Sequence, residues 1–341
     1  ALNPVYQMFF ISTLISCFFT VYLVAYLKIE TLFSVMISII TLALIIIYLT
    51  KFAGYPSKWK NGDIILLLLN FIIILHLPVH FLSSARISFG REKKDDLLIK
   101  FDKFMLGWLI KDGQIALWID KNDYIGPHTS FGKFINNSLE LFYFFYYLIP
   151  YVSMHFMSLL NCLREIIFRF KHNGLKSSTY KKNWNTALFV FSVYLLTCVF
   201  VFFVNTLVPA TSPRKHLKNE FVHPLKLSGF GRYLNIRCKD EQSANSFPSG
   251  HVAEILSIGL SYYVARDKLT GKLIIFFSGL IALATLFLRY HYFCDVVMGL
   301  ILAFLSFEIN YYFGLRRYRK DNKEEKADFK MMNDESLETM I

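Results

Sequence analysis

Phe247-Pro248-Ser249-Gly250-His251 follows a long polar loop and opens a mostly apolar run. Pro248 at the first helical position, with Ser249 beside it, predicts the start of a helix. The first-turn amides of a helix have no internal partner, and this end carries partial positive charge. Gly250 allows a ligand to approach the backbone closely. Such a helix start is suited to hold a phosphate, although a capped membrane helix with an incidental histidine has the same pattern.

The composition around this stretch is that of a membrane protein. Of the 341 residues, 55% are hydrophobic, which together with a positive mean hydropathy is outside the usual range of soluble domains. The net charge of +12 does not indicate a nucleic-acid partner, because the basic residues lie in short segments between apolar runs. The five cysteines are scattered, without a CxxC pair, and indicate neither a zinc site nor a disulfide framework. We therefore predict no cofactor and no metal.

Long apolar segments predict about eight transmembrane helices, because most reach the roughly 20 residues that a helix needs to cross the hydrocarbon core. They lie near 7–27, 31–50, 63–84, 134–160, 185–207, 248–265, 273–290 and 295–314. The first segment lacks a basic leader and a small-residue cleavage site, so we predict a span instead of a signal peptide. The predicted fold class is an all-α integral membrane protein with a helical-bundle core and interfacial helices.

Basic residues in the loops predict the orientation of these helices. Lys and Arg are concentrated in 51–62, in 161–184, after the sixth helix and at the start of the tail, whereas the short opposite loops carry one lysine or none. The positive-inside rule then places both termini in the cytoplasm. The predicted location is a multi-pass membrane, the inner membrane in a bacterium or the Golgi and endomembranes in a eukaryote, with the opposite helix ends on the periplasmic or lumenal face.

Composition divides the chain into four predicted regions. They are N-terminal transmembrane helices at 1–98, an interfacial amphipathic segment at 99–133, a catalytic membrane core at 134–314 and a disordered cytoplasmic tail at 315–341. The interfacial segment mixes aromatic residues such as Phe104 and Trp108 with Lys and Asp, which is typical of short helices in the outer interface or of an ordinary loop with some hydrophobic residues. The tail is charged and poor in apolar residues.

Three polar clusters lie at helix ends on the predicted outer face. The first runs from Pro209 to Arg214, and the second is the opening stretch. The third is Arg289-Tyr290-His291-Tyr292-Phe293-Cys294-Asp295, in which His291 and Asp295 are four apart and face the same way on a helical turn. The topology, derived from loop charges alone, brings all three clusters to one face, and we predict a single site there.

These side chains predict phosphoryl chemistry. A carboxylate on one ring nitrogen of His291 fixes its tautomer and leaves the other nitrogen to attack phosphorus, giving a phosphohistidine. We expect His251 to face it across a phosphate-sized gap and to protonate the leaving oxygen as general acid. The predicted ligands of the phosphate oxygens are Arg214, Ser249, Gly250 and Arg289. Taken singly, the same residues are also compatible with hydrogen-bonded interface pairs, zinc ligands or headgroup anchors.

The motifs resemble those of the type 2 phosphatidic acid phosphatase superfamily, the lipid phosphatases and phosphotransferases related to vanadium haloperoxidases. The stretch 247–251 matches its middle motif in full, and His291-x-x-x-Asp295 with the following 296–299 matches the core of its last motif. The resemblance implies that His291 is the nucleophile, Asp295 its partner and His251 the general acid. It is clear over about 200–314 and weaker over 99–200.

Some positions depart from the family pattern. Leu207 stands where the first motif has a lysine, and Lys215 is a weak substitute for it. Thr285 stands where the phosphatases usually have an arginine, so Arg289 is predicted to replace that phosphate ligand. The eight spans, Pro-x-x-Ser-Pro-Arg and His-Tyr before the last motif's aspartate resemble the branch containing inositol phosphorylceramide synthases. Gly250, by contrast, resembles the phosphatases.

We predict a membrane-embedded lipid phosphatase or phosphotransferase that acts on a lipid-linked phosphate, with membrane lipids as partners and the oligomeric state left open. One alternative is an inositol phosphorylceramide synthase-like head-group transfer between lipids. Others are a non-catalytic member that binds lipid phosphates, and a transporter or scramblase, against which the clustering of polar groups at one face argues. Glu140 and Glu254, ionisable groups within apolar segments, are predicted either to act with the site or to form interhelical hydrogen bonds.

Overall fold

The computed structural model describes residues 8, 11, 12, 91–150, 153, 178–225, 246–265 and 268–316. All regular elements within these residues are helical, so the predicted all-α class is confirmed. They are α1 Asp95–Leu106, α2 Ile115–Asp120, α3 Ser130–Pro150, α4 Ser178–Leu207, α5 Pro213–His216, α6 Gly250–Val264, α7 Lys268–Phe287 and α8 Phe293–Asn310, which continues into a π-helical turn, Tyr311–Arg316.

Three helices in the described part of the chain are long and apolar enough to cross a membrane. They are Leu188–Leu207 within α4, the whole of α7, and Phe293–Arg316, which is α8 with its π-helical turn. These helices match three of the predicted segments and indicate a membrane protein. α6 has 15 residues and falls short of the roughly 20 that a perpendicular span requires.

The predicted number of eight spans is not confirmed. α3 coincides with the start of the predicted segment 134–160, but it is not one of the three helices above. The predicted segments 31–50 and 63–84, and all of 7–27 except residues 8, 11 and 12, lie outside the described residues. The predicted tail likewise lies outside them from residue 317 onward.

α6 is the centre of the helical bundle. It packs against α4, α7 and α8, and nearly all of its residues from Val252 to Tyr262 are buried, as expected of a helix that is apolar on every face. Gly271 permits the close approach of α7, because a Cβ there would lie 2.4 Å from the backbone nitrogen of Tyr263. This packing fixes the end of α6 that carries His251.

Glu254 joins three helices inside the bundle. Its Oε2 accepts hydrogen bonds from the hydroxyl groups of Tyr146 on α3 (3.1 Å) and Tyr194 on α4 (3.3 Å). Of the two predicted roles for this carboxyl group, interhelical hydrogen bonding is therefore what the structure displays. The bonds tie α3 to the centre of the bundle, one turn below His251.

Candidate active site

His291 and Asp295 form a buried pair at the start of α8. His291 Nδ1 lies 3.1 Å from Asp295 Oδ2, and both side chains are almost fully buried. The prediction that a helical turn aligns them is wrong, because α8 begins only at Phe293 and His291 precedes its N-cap, Tyr292. The carboxylate instead reaches back over the helix start, where Oδ2 also accepts from the amide of Tyr292 (3.0 Å) and the hydroxyl of Ser246 (2.7 Å).

The sharp end of α7 orients His291. The carbonyl oxygen of Thr285 accepts the amides of Tyr290 (2.8 Å) and His291 (3.2 Å), which closes the last turn. Arg289 adopts a left-handed conformation with φ of 63° at this point, a position that glycine usually occupies and that costs other residues of order 1–3 kcal/mol. A non-glycine residue persists there because its side chain is held elsewhere, as described below.

His251 meets His291 directly. Its Nδ1 lies 3.1 Å from His291 Nε2, and its Nε2 lies 2.7 Å from the hydroxyl of Tyr143 on α3. The two imidazoles therefore come together, but the expected phosphate-sized gap between them is wrong, since a phosphorus atom does not fit between nitrogens in hydrogen-bond contact. A substrate phosphate has to part the rings.

Three hydrogen bonds run in a row from Tyr143 through His251 and His291 to Asp295. When both imidazoles are neutral and the carboxylate is ionised, every bond in the row has its donor on the Tyr143 side. Asp295 only accepts, so His291 Nδ1 carries a proton and His291 Nε2 accepts one from His251 Nδ1. His251 Nε2 is then an acceptor, and Tyr143 donates to it. We assign these tautomers from the hydrogen-bond pattern. They place the lone pair of His291 Nε2 and the N–H of His251 Nδ1 face to face.

The turn before α6 is clamped between α4 and α8. Asn205 Nδ2 donates to the carbonyl oxygen of Phe247 (3.0 Å), and the amide of Ser249 donates to the carbonyl oxygen of Asp295 (3.0 Å). Gly299 allows this contact, because a Cβ there would lie 2.6 Å from Ser249 O. With its backbone committed in this way, Ser249 is the extended N-cap, and α6 starts at Gly250 instead of the predicted Pro248.

Ser249 also presents a buried hydroxyl to the site. Its side chain is fully buried, and its Oγ has no hydrogen-bond partner among the described residues. A buried hydroxyl in that condition is costly, and an anion with free acceptor oxygens would relieve the cost. This fits the predicted role of Ser249 as a phosphate ligand.

Arg214 and Arg289 approach each other at the edge of the site. The amide of Arg214, in the short helix α5, donates to the carbonyl oxygen of Arg289 (2.9 Å), and its guanidinium lies 5.8 Å from the centre of the Tyr290 ring. Burial lowers the pKa of Arg289, Asp120 opposes that shift, and the nearby Arg214 adds to it. Lys215 follows in α5, half-buried. The first and third polar clusters thus share one end of the bundle.

Arg289 is bound by an aspartate that the sequence did not reveal. Its Nη2 donates to Asp120 Oδ1 (2.7 Å) and to the carbonyl oxygen of His223 (3.0 Å), and its guanidinium lies 3.9 Å from the centre of the Phe221 ring. Asp120 is fully buried and also accepts from the amide of Val222 (2.6 Å). One edge of the guanidinium is therefore committed to protein groups.

Two further aspartates, both on α1, hold the site. Asp95 Oδ1 accepts from the hydroxyls of Thr211 (2.8 Å) and Tyr292 (3.1 Å). Asp102 accepts from the first two amides of α8, at Phe293 (3.0 Å) and Cys294 (2.8 Å). Their seven-residue spacing puts both on one face of a helix, a signal that could have found them.

The ionisation of these groups reflects their burial. Burial raises the pKa of Asp102 to about 6, and the negative charge of Asp295 adds to the shift, while the two α8 amides oppose it. Burial likewise raises the pKa of the Tyr292 phenol, and the nearby Asp95 strengthens that effect. Tyr292 therefore stays protonated and keeps donating to Asp95.

Metal-ligand side chains do not cluster in the described part of the chain. Among residues 91–150, 178–225, 246–265 and 268–316, no three His, Cys, Asp or Glu side chains form a group that could hold a metal ion. Cys294 is a buried free thiol, while Cys238 lies outside the described residues.

Tyr143 was missed by sequence reasoning, because nothing distinguishes it in a segment rich in Phe and Tyr. We expect Tyr143→Phe to lower kcat about two- to twelve-fold, since it removes a hydrogen bond of roughly 0.5–1.5 kcal/mol that fixes the His251 tautomer. Tyr146→Phe is the matched control, because its hydroxyl donates to Glu254 and its ring, like that of Tyr143, lies beside the His251 ring. Equal kcat values for the two variants, measured at saturating substrate, would contradict this role.

Comparison with known proteins finds a family match over the core of the bundle. A model of the PAP2 superfamily matches residues 180–309, from α4 to α8, and thus includes His251, His291 and Asp295. Residues 180–309 belong to the PAP2 superfamily. The predicted resemblance to the type 2 phosphatidic acid phosphatases is thereby confirmed, and proteins of this superfamily are generally phosphatase-type enzymes.

One relative matches a longer part of the chain than the PAP2 model does. A PA-phosphatase related-family protein of Dictyostelium discoideum is 32% identical over 240 residues, which is 66% of this chain. The chain spans 42% of the length of that relative. No solved structure matches the chain.

The structure shows the side chains at the two positions that depart from the PAP2 motifs, Leu207 and Thr285. Leu207 ends α4 with its side chain largely exposed, and the hydroxyl of the buried Thr285 donates within α7 to the carbonyl oxygen of Ala282 (2.8 Å). Neither side chain supplies a positive charge. Arg214, Lys215 and Arg289 are cations near this end of the bundle.

Proposed function

We propose that this protein is a metal-independent lipid phosphatase or phosphotransferase that forms a phosphohistidine at His291. The observation that carries the proposal is the directed row of hydrogen bonds from Tyr143 through His251 and His291 to Asp295. Such a row gives a nucleophilic nitrogen, a proton donor facing it and a carboxylate that stabilises the positive charge on the attacking imidazole.

The first step forms the bond between His291 Nε2 and phosphorus and breaks the bond between phosphorus and the lipid oxygen. As the phosphate parts the rings, its negative charge favours a second proton, taken from solvent, on His251. The resulting imidazolium gives its Nδ1 proton to the leaving oxygen, so that the lipid departs as an alcohol and His251 becomes neutral. Asp295 stabilises the imidazolium that forms at His291. Tyr143 supports the neutral His251 that results.

The phosphoryl oxygens need positive or donating groups on the remaining sides. Ser249 Oγ, which lacks a partner among the described residues, and the amides of Gly250 and His251 at the start of α6 supply donors from one side. Arg214 and Lys215 supply positive charge from the opposite side of the phosphoryl group. Arg289 contributes the part of its guanidinium that Asp120 does not hold.

The second step returns the protein to its starting form. A water molecule or a lipid hydroxyl attacks phosphorus, the bond to His291 breaks, and His251 takes the proton of the attacking group. Water gives free phosphate, and a lipid alcohol gives a new phospholipid. The proposed setting is the outer rim of a multi-pass membrane, with cytoplasmic termini and the site on the periplasmic or lumenal face.

A lipid panel tests the function and chooses the acceptor. The purified chain in vesicles is given phosphatidate or phosphatidylinositol labelled with radioactive phosphorus, with and without diacylglycerol or ceramide. Free phosphate identifies a hydrolase, and label in a new lipid identifies a transferase. A chain that binds these lipids but yields neither product, and carries no label after an alkaline quench, is a non-catalytic binder, and the proposal is then wrong.

A further inference from the structure

α1 turns its charged side inward and its apolar side outward. Asp95, Leu98 and Asp102 are buried, as the seven-residue spacing of the carboxylates requires. The opposite face is a stripe of four exposed side chains: Leu97, Phe101, Phe104 and, just past the helix, Trp108. The exposed fractions of Phe104 and Trp108 are 84% and 82%. A helix of a water-soluble domain shows the reverse arrangement.

The inner face of α1 is joined to two walls of the candidate active site. Asp95 binds Thr211 of the first polar cluster and the hydroxyl of Tyr292, and Asp102 caps α8 next to His291. A further backbone bond runs from the amide of Lys94 to the carbonyl oxygen of Pro209 (2.9 Å). The position of α1 therefore fixes the position of the reacting histidine.

The chemistry of the outer face fits a lipid surface. Tryptophan favours the headgroup region of a bilayer, and Phe and Leu are typical of the apolar face of an interfacial helix. The indole N–H of Trp108 is already satisfied by the carbonyl oxygen of Met105 (2.9 Å). Lys100 and Lys103 flank the stripe on one side and are exposed, and such side chains extend their ammonium groups toward lipid phosphates. α1 also lies at the ends of α4 and α8, both of which can span the membrane.

We propose that α1 lies in the headgroup layer, with the stripe Leu97, Phe101, Phe104 and Trp108 among the upper acyl chains. The bilayer is the occupant of this face. The buried carboxylates on the other face of α1 then hold the candidate active site at the depth of the lipid phosphates. This last consequence rests on the proposed function, whereas the seating of the helix does not.

Quenching of Trp108 fluorescence locates the stripe directly. The sequence holds four tryptophans, so Trp59→Phe, Trp118→Phe and Trp184→Phe leave Trp108 alone in the full chain. The variant is reconstituted into phosphatidylcholine vesicles that carry bromine near the headgroup end or near the methyl end of the chains. We expect strong quenching by bromine near the headgroup, weaker quenching by the deeper bromine, and little quenching by aqueous iodide.

The other outcomes of this measurement overturn the proposal. Quenching by iodide without quenching by brominated lipid means that the stripe faces water. Protection from both quenchers means that protein covers it, either residues of this chain outside the described ranges or a second copy. Stronger quenching from the methyl end than from the headgroup end means that α1 does not lie in the interface.

Activity tests the consequence for the site. We expect the double variant Phe104→Ser, Trp108→Ser to lower kcat/KM several-fold for dioleoyl phosphatidate in vesicles. For monomeric dioctanoyl phosphatidate in detergent, the same variant should stay within about two-fold of the wild-type value. Phe104→Leu, Trp108→Phe is the control that keeps the stripe apolar and should retain both activities.

The two halves of the proposal fail in different ways. Equal losses on both substrates, or no loss on either, contradict the coupling between α1 and the site. A wild-type chain that turns over neither phosphatidate contradicts the proposed function instead, and the quenching of Trp108 still decides where α1 lies.

Discussion

A His291→Ala variant is expected to lose phosphoryl transfer by at least about 10³-fold, because removing the nucleophile of a covalent mechanism leaves only binding and charge stabilisation. The unprotonated Nε2 of His291 faces the proton donor His251 at 3.1 Å, and its Nδ1 is held by Asp295. Turnover of labelled phosphatidate measures the loss. After an alkaline quench, the wild-type protein should carry radioactive phosphorus and the His291→Ala variant should carry none.

His216→Ala is the matched control for that experiment. His216 also pairs with an aspartate, since its Nε2 lies 3.4 Å from Asp96 Oδ1, but the pair is on the surface and outside the candidate site. We expect its turnover and labelling to equal those of the wild-type protein. Should His291→Ala express and unfold normally yet keep most of its turnover, the nucleophile is another residue.

An Asp120→Ala variant is expected to lower the free energy of unfolding by roughly 3–5 kcal/mol, the usual cost of leaving one member of a buried ion pair alone. Asp120 and Arg289 are both buried and 2.7 Å apart, and the carboxylate also holds the amides of Val222 and His223. Arg289 would lose its anchor at the left-handed turn that orients His291. Thermal unfolding in detergent measures the loss of stability. A lower kcat would show that the turn at Arg289 no longer orients His291.

A double variant tests whether the unpaired charge of Arg289 causes the loss of stability in Asp120→Ala. Asp120→Leu with Arg289→Met removes both charges, and we expect it to recover a large part of the lost stability without restoring activity. Asp123→Ala, which removes an exposed aspartate from the following loop, should unfold like the wild-type protein. If Asp120→Ala also unfolds like the wild type, the ion pair does not hold the turn in solution.

The chemistry of the site could be predicted from its local motifs, but the residues that hold the motif side chains in place could not. His251, His291 and Asp295 stand in short motifs whose residue types state their possible roles, so they were found from the sequence. Asp120 lies 169 residues from Arg289, and Tyr143 lies 108 residues from His251. Their segments carry no motif, because a buried hydrogen bond between distant residues leaves no periodicity in either one.

The exact starts of the helices were also beyond local rules. The prediction placed Pro248 at the first position of α6, yet the contact of Ser249 with Asp295 commits that residue to an extended cap and delays the helix to Gly250. The alignment of His291 with Asp295 was predicted from a helical turn and arises from a cap instead. In both places a contact between helices overrides the local preference.

By itself, the sequence determined the helical class, three of the apolar spans, the PAP2 motifs and the kind of chemistry they allow. These properties depend on composition and on spacing within a few turns of one segment. The tertiary structure alone decided that the two imidazoles touch, that Tyr143 and three aspartates support them, and that α1 shows its aromatic side outward. Those features depend on which segments pack together, and burial in the shared core selects among partners that the local sequence leaves equivalent.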